Sequence, residues 1–155
     1  MANRYFNVTQ GGIKDGVNKL NASSSGVYRG MLAGWPSGGS LGVSTGSAPY
    51  GQFDDYLRLE EHPQSEDLGV YLSGKEVNVA TGKFISLVGP DLFTAGAIPA
   101  VGTALYPGAA SLLDTAQNWP SASVIGKVKA HVTIADAGGA GSFSAAMCIM
   151  EFPVY

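Results

Sequence analysis

Two histidines, His62 and His131, are the side chains able to act as bases near neutral pH, and Cys148 is the one thiol. Asp54–Asp55 and Glu60–Glu61 add two adjacent carboxylate pairs. Glycoside chemistry needs carboxyls that face each other across a cleft, whereas these are neighbours in sequence. Nucleophilic catalysis needs a base and an orienting group beside the nucleophile, and no G-x-S-x-G elbow marks any of the serines. Cys148 sits within Ala145-Ala146-Met147-Cys148-Ile149-Met150, an apolar run in which a thiol packs as a small, inert hydrophobe. A single cysteine also excludes an internal disulfide and a multi-cysteine zinc site. Residues 54–67 carry six acids and one arginine but lack the D-x-D-x-D-G pattern of a calcium loop. They read as a solvated acidic loop that a basic patch on a partner would complement, with His62 a loop residue before Pro63. The expectation is a non-enzyme with no catalytic, cofactor-binding or metal-ligating residue.

The elements that must carry any site are strands. Twenty-two glycines and eight prolines weaken helix interiors, and a single domain of 155 residues this rich in both reads as all-β with many turns. In Val124–Ile134, Val128, Ala130, Val132 and Ile134 share one parity, while Lys127, Lys129, His131 and Thr133 share the other. This alternation predicts a half-buried strand with His131 on its solvent side. Ser142–Val154 is apolar on both parities, as a central strand covered on two faces would be. Gly138-Gly139-Ala140-Gly141 before it reads as a turn and not as a phosphate cradle. Leu68–Leu72, Glu76–Ala80 and Lys83–Val88 read as three strands of a meander, with Ser73-Gly74-Lys75 and Thr81-Gly82 as turns. Pro99 belongs to an edge or loop because it cannot donate to a central ladder. Residues 109–118 have a faint helical spacing, stopped by Trp119-Pro120.

Residues 3–9 predict a short strand or arm that Gly11-Gly12 breaks. From there to Gly51 the chain is mostly Gly, Ser and Asn, with Val27–Ala33 as its one strand. Residues 1–50 are therefore expected to form an extended Gly/Ser-rich segment of arm and loops, partly packed on a β-barrel or β-sandwich domain of residues 51–155. Such a core-poor stretch either covers the domain or reaches a neighbour.

Composition limits the partners. A net charge of −3 with no Lys/Arg cluster argues against nucleic acid, and no apolar run approaches the length of a membrane helix. The first residues lack the apolar core of a secretory signal. The glycosylation patterns at Asn7-Val8-Thr9 and Asn21-Ala22-Ser23 matter only in a secreted chain. Only 14% of residues are charged, fewer than a free monomer usually displays, which fits either a surface partly buried against other protein or a neutral one rich in Ser, Thr and Gly.

The FISLVG run, the GAIPAVGTALYP turn-and-strand and the VIGKVKAHV strand, behind a Gly/Ser-rich front segment, resemble the small β-barrel decoration (cement) proteins of tailed-bacteriophage capsids. The similarity covers roughly residues 84–134, through Gly102-Thr103-Ala104-Leu105-Tyr106 and Ile125-Gly126-Lys127-Val128. It implies a virion protein on the outer capsid surface, commonly a homotrimer, that binds the major capsid protein and stabilises the shell. The front segment of about fifty residues departs from the shortest members of that family. An interface role would fall on Arg4, Tyr5, Phe6, Tyr28 and Trp35, because aromatic and arginine side chains carry interface energy disproportionately. In particular, Arg4–Val8 would add a strand to a partner's sheet edge. The same aromatics equally suit packing against the chain's own barrel. The alternative function is a carbohydrate- or receptor-binding head or tail-fibre module, stacking sugars on Trp35, Trp119, Tyr50 and Tyr56.

Overall fold

The computed structural model describes residues 4–15, 19–20, 27–35, 37–38, 40–44, 46–54, 77–135 and 142–152. The fold is all-β. In chain order the strands are β1 (Phe6–Asp15), β2 (Lys19–Leu20), β3 (Leu32–Ala33), β4 (Ser40–Leu41) and β5 (Gly51–Asp54). They continue with β6 (Asn78–Val88), β7 (Ala104–Pro107), β8 (Leu113–Asp114), β9 (Gly126–Ala135) and β10 (Ser142–Glu151). A 3-10 turn, Pro90–Leu92, is the only helical element among the described residues. The expected strand at 68–72, the acidic stretch from Asp55 to Asp67 and the turn at 138–141 lie outside the described residues.

Seven strands run in the order β3-β5-β6-β10-β9-β7-β8, and β2 and β4 form a separate parallel pair. The two ends of the row approach each other. The Leu32 N–H donates to the carbonyl of Ser111, just before β8, at 2.7 Å. The Ser111 hydroxyl donates in turn to the carbonyl of Ser44. The sheet thus curls into a nearly closed, antiparallel barrel.

β6 is the hub. β1 pairs along it from Phe6↔Val88 to Asp15↔Val79. Val79 and Ala80 also pair with β5, and Phe84, Ile85 and Val88 also pair with β10. A strand has two edges, so β1 fills one while β5 and β10 share the other and part at Thr81–Gly82. The sequence reading places a turn there. Instead Gly82 sits inside one continuous strand at φ +78, a conformation glycine adopts without the usual steric cost. Its carbonyl accepts from the Phe152 N–H at 2.8 Å, and the Thr81 hydroxyl donates to the Tyr50 carbonyl at 2.8 Å. The two departing strands are thereby tied to adjacent residues of β6.

A similar correction applies at Gly11. It does not break the first strand: the pairing shifts between Val8 and Gln10 and between Gly11 and Ile13, and β1 continues to Asp15. With Gly11 at φ +77, these shifts are β-bulges. The helical spacing of residues 109–118 does not become a helix. Ser111 is held at φ +63, and Leu113–Asp114 pairs with Tyr106–Pro107.

The inward faces of β6, β9 and β10 meet in one core containing Phe6, Phe84, Leu105, Val128, Met150 and Phe152. A second cluster joins Val27, Ala33 and Leu41 to Phe53, Val77 and Val79. Part of the glycine- and serine-rich front segment therefore supplies core side chains. β10 lies between β6 and β9, the central position its two apolar parities predict.

Candidate interaction surface

The groups with potential chemistry are dispersed. Cys148 is fully buried, and burial pushes its thiol up to about 12. His131 is exposed, and its Nε2 lies 2.7 Å from the carbonyl of Pro99, holding the 94–103 loop against β9. Asp54 is buried against Arg29. Asp55, Glu60, Glu61 and His62 lie outside the described residues. Among the described residues no three His, Cys, Asp or Glu side chains gather where they could hold a metal ion.

The five anchors expected from sequence divide into two kinds. Tyr5 and Phe6 are 2% and 0% exposed, packed into the chain's own barrel, so these two side chains are not presented to a partner. The carbonyl of Tyr5 accepts from the Gly89 N–H at 2.7 Å, and Phe6 opens β1 opposite Val88. Burial raises the Tyr5 hydroxyl above its ordinary value, opposed by its bond with Asn7 and by the charge of Arg29. Strand addition does occur at this segment, but to β6 of the same chain.

The other three remain at the surface. The Arg4 guanidinium stacks 4.0 Å from the centre of the half-buried Tyr28 ring, a cation–π contact. Trp35 is 43% exposed, its Nε1–H donates to the Ala48 carbonyl at 3.0 Å, and its ring lies 4.9 Å from that of Tyr50. Trp119 is half-buried elsewhere on the surface, and Tyr56 lies outside the described residues.

Beside the Trp35–Tyr50 pair, an open groove of about 480 Å³ occupies the fork where β5 and β10 leave β6. It is lined by Ala48, Pro49, Val124 and Ile125, together with Gly82, Lys83 and Phe152. Two further lining residues are joined, the Ser121 hydroxyl donating to that of Ser47 at 3.2 Å.

A second surface was not anticipated. Along β9, Val128 pairs with Cys148 but Ala130 pairs with Met147, so Lys129 is an extra residue, a β-bulge. Directly opposed residues in an antiparallel pair share a face, and successive residues of β10 alternate. Val128 therefore points into the core with Cys148, whereas Ala130 and Val132 point outward with Met147. Sequence parity placed all of these on one face; the bulge divides them. Exposure agrees at the bulge, since Val128 is 1% exposed and Ala130 half-buried; further along β9, His131 and Thr133 are exposed opposite Ala146 and Ser144, and Val132 is half-buried opposite the fully buried Ala145. The outward set continues across the sheet through the cross-strand pairs Met147↔Leu87 and Ile149↔Ile85, all four half-buried. The one sequence signal for it was the parity of Ile85 and Leu87, opposite to the core residues Phe84 and Val88. The result is an apolar face on the outside of the barrel, spanning three strands.

No protein-family model, no curated protein sequence and no solved structure matches this chain.

Proposed function

We propose that this chain is a structural subunit of a virion, a decoration protein that sits on the outer surface of a tailed-phage capsid and stabilises it by bridging major capsid protein subunits. The observation that carries this reading is the outward apolar face of Ile85, Leu87, Met147 and Ile149 on an otherwise well-filled barrel. Apolar sheet surface left at the outside is what an assembling protein covers with its neighbours, and a charged fraction of 14% fits such a surface. The chain acts by binding, as a self-associating unit of the homotrimeric kind, and not as an enzyme. Arg4–Tyr28 and Trp35–Tyr50, of which Trp35 is the exposed aromatic, supply its surface contacts; Tyr5 and Phe6 hold the barrel together.

Co-sedimentation with phage heads stripped of their accessory proteins tests the proposal. Saturable binding to heads, absent with free capsid subunits, is the expected result. Full recovery in the unbound fraction at every concentration overturns it.

The pairing of Trp35 with Tyr50 beside the groove favours a second reading, a carbohydrate-binding fibre module. A tilted aromatic pair next to a groove lined by serine hydroxyls suits the apolar faces and hydroxyls of a sugar. Glycan binding by the isolated protein, lost in Trp35→Ala, would select this reading over decoration.

A further inference from the structure

We infer that the groove at the fork of β6 is a site for neutral oligosaccharides, in which Lys83 and Glu151 together read the sugar hydroxyls and turn away charged sugars. The inference rests on the second reading above, carbohydrate binding, and names the class of sugar. It is independent of any capsid.

Lys83 and Glu151 are Cα partners across β6 and β10, and both line the groove. Directly opposed side chains of an antiparallel pair share a face, with Cβ atoms about 4.5–5.5 Å apart. Opposite charges so placed are well situated to join. Yet among the described residues neither Lys83 nor Glu151 forms an ion pair or a side-chain hydrogen bond, and both are exposed. The groove is thus offered a group that only donates beside one that only accepts. A sugar hydroxyl does both at once, accepting from Lys83 and donating to Glu151, and vicinal hydroxyls can divide the two tasks. The Ser123 hydroxyl, exposed on the same lining, adds a further donor and acceptor.

A peptide amide carries the same two functions, but a peptide joins a sheet through open backbone groups. Here the Phe152 N–H already donates to the Gly82 carbonyl, and the Glu151 N–H to the Ile125 carbonyl, both at 2.8 Å. Recognition is left to side chains.

Charge then selects among sugars. Lys83 and Glu151 are the only ionisable residues of the lining, so its net charge is zero. Glu151 repels a carboxylated or sulfated sugar and Lys83 repels an amino sugar, while either ligand also loses hydration of its own charge. The apolar side of a pyranose has a place as well. Val124, 50% exposed, lines the groove, and Trp35 adjoins it through the bond from its Nε1–H to the Ala48 carbonyl. These are two of the four large apolar side chains exposed among the described residues, so bare apolar surface is concentrated at this site. The volume of about 480 Å³ lies within the roughly 300–1,000 Å³ of small-ligand sites.

A glycan array bearing neutral, uronate-containing, sulfated and glucosamine-rich oligosaccharides, probed with the isolated full chain, tests the inference. Calorimetry then follows a neutral trisaccharide found on the array, trigalacturonate and the glucosamine trimer. The proteins are wild type, Trp35→Ala, Lys83→Gln and Glu151→Gln, with circular dichroism to establish folding; both Gln changes alter exposed side chains. Wild type is expected to bind neutral glycans, with little change in about 1 M salt because the ligand carries no charge to screen. Each Gln variant is expected to bind the neutral trisaccharide about tenfold more weakly, the loss of one charge-assisted hydrogen bond. Glu151→Gln, which leaves Lys83 unopposed, should gain affinity for trigalacturonate, and Lys83→Gln for the glucosamine trimer. A purely structural role for the pair would not give these opposite shifts. Neutral-sugar binding that is lost in Trp35→Ala but unchanged in both Gln variants, or a wild type that prefers a charged sugar, overturns the inference and leaves the carbohydrate reading standing. A folded wild type that binds no glycan on the array overturns both.

Discussion

Arg29 and Asp54 face each other at 3.4 Å with side chains 3% and 0% exposed, and the same guanidinium donates to the carbonyl of Phe6. One buried cation thus joins the start of β1 to the end of β5. Asp54→Ala strands that cation in the barrel wall and is expected to cost about 3–5 kcal/mol in urea unfolding. The double variant Arg29→Met/Asp54→Leu, which removes both charges, should cost less than the single change. Equal or greater loss in the double variant would mean that the pair itself, and not the stranded charge, sets the cost.

Phe6 is fully buried in the main core, and Phe6→Ala is expected to cost about 3–5 kcal/mol. Deleting residues 1–10, which removes the first half of β1, should unfold the chain or lower its melting temperature strongly. A truncated protein with an unchanged melting temperature would show that β1 is dispensable.

Burial pushes the Cys148 thiol up to about 12, while an unfolded cysteine titrates near about 8.5. Between those values the unfolded chain gives up a proton that the native chain keeps. Stability therefore falls as pH rises through this window, by at most about 1.4 kcal/mol per pH unit from this group. Tyr5, also raised by burial, acts in the same direction at the alkaline end. In a comparison from about pH 8 to about pH 10, Cys148→Ala should show a shallower loss than wild type. The native thiol should react with a disulfide reagent only as fast as the protein opens.

Asp114 shows the opposite sign. Its partial burial would raise the carboxyl, but bonds from the Asn118 amide and the backbone N–H groups of Ala116 and Thr115 outweigh it and hold the group below its usual value. That contribution is present above the unfolded value of about 3.9 and is lost as pH falls through the native one. Asn118→Ala is expected to move the Asp114 titration upward, read by carboxyl-carbon NMR, and to lessen the dependence of stability on acid. No movement of that resonance would assign the effect to the backbone donors alone.

What could be read in the sequence was whatever depends on near neighbours. The strand at Val124–Ile134 announces itself by alternation and the run from Ser142 by being apolar on both parities, and they occur as β9 and β10. The glycines misled because a positive φ reads locally as a turn. At Gly11 and Gly82 it serves a bulge and a fork, set by strands about seventy residues away in the chain. The bulge at Lys129 leaves the parity of β9 unbroken in sequence while reversing which face its later residues occupy, so the β9 part of the outer apolar patch was invisible. Tyr5 and Trp35 show the same limit at the level of single residues. Residue type does not separate a core aromatic from a surface one; burial by β6 and pairing with Tyr50 do.

The pairing of β1 with β6 also sets a timetable for biosynthesis. Phe6 pairs with Val88, so roughly 80 further residues must leave the ribosome before the first strand meets its partner. At about 5–20 residues per second that is a delay of about 4–16 seconds, during which Tyr5 and Phe6 have no barrel to enter. Completion of the hub strand is the event that ends this exposure. Maturation of the nascent chain is gated by distance along the message, and slowing elongation between residues 15 and 78 prolongs the aggregation-sensitive interval.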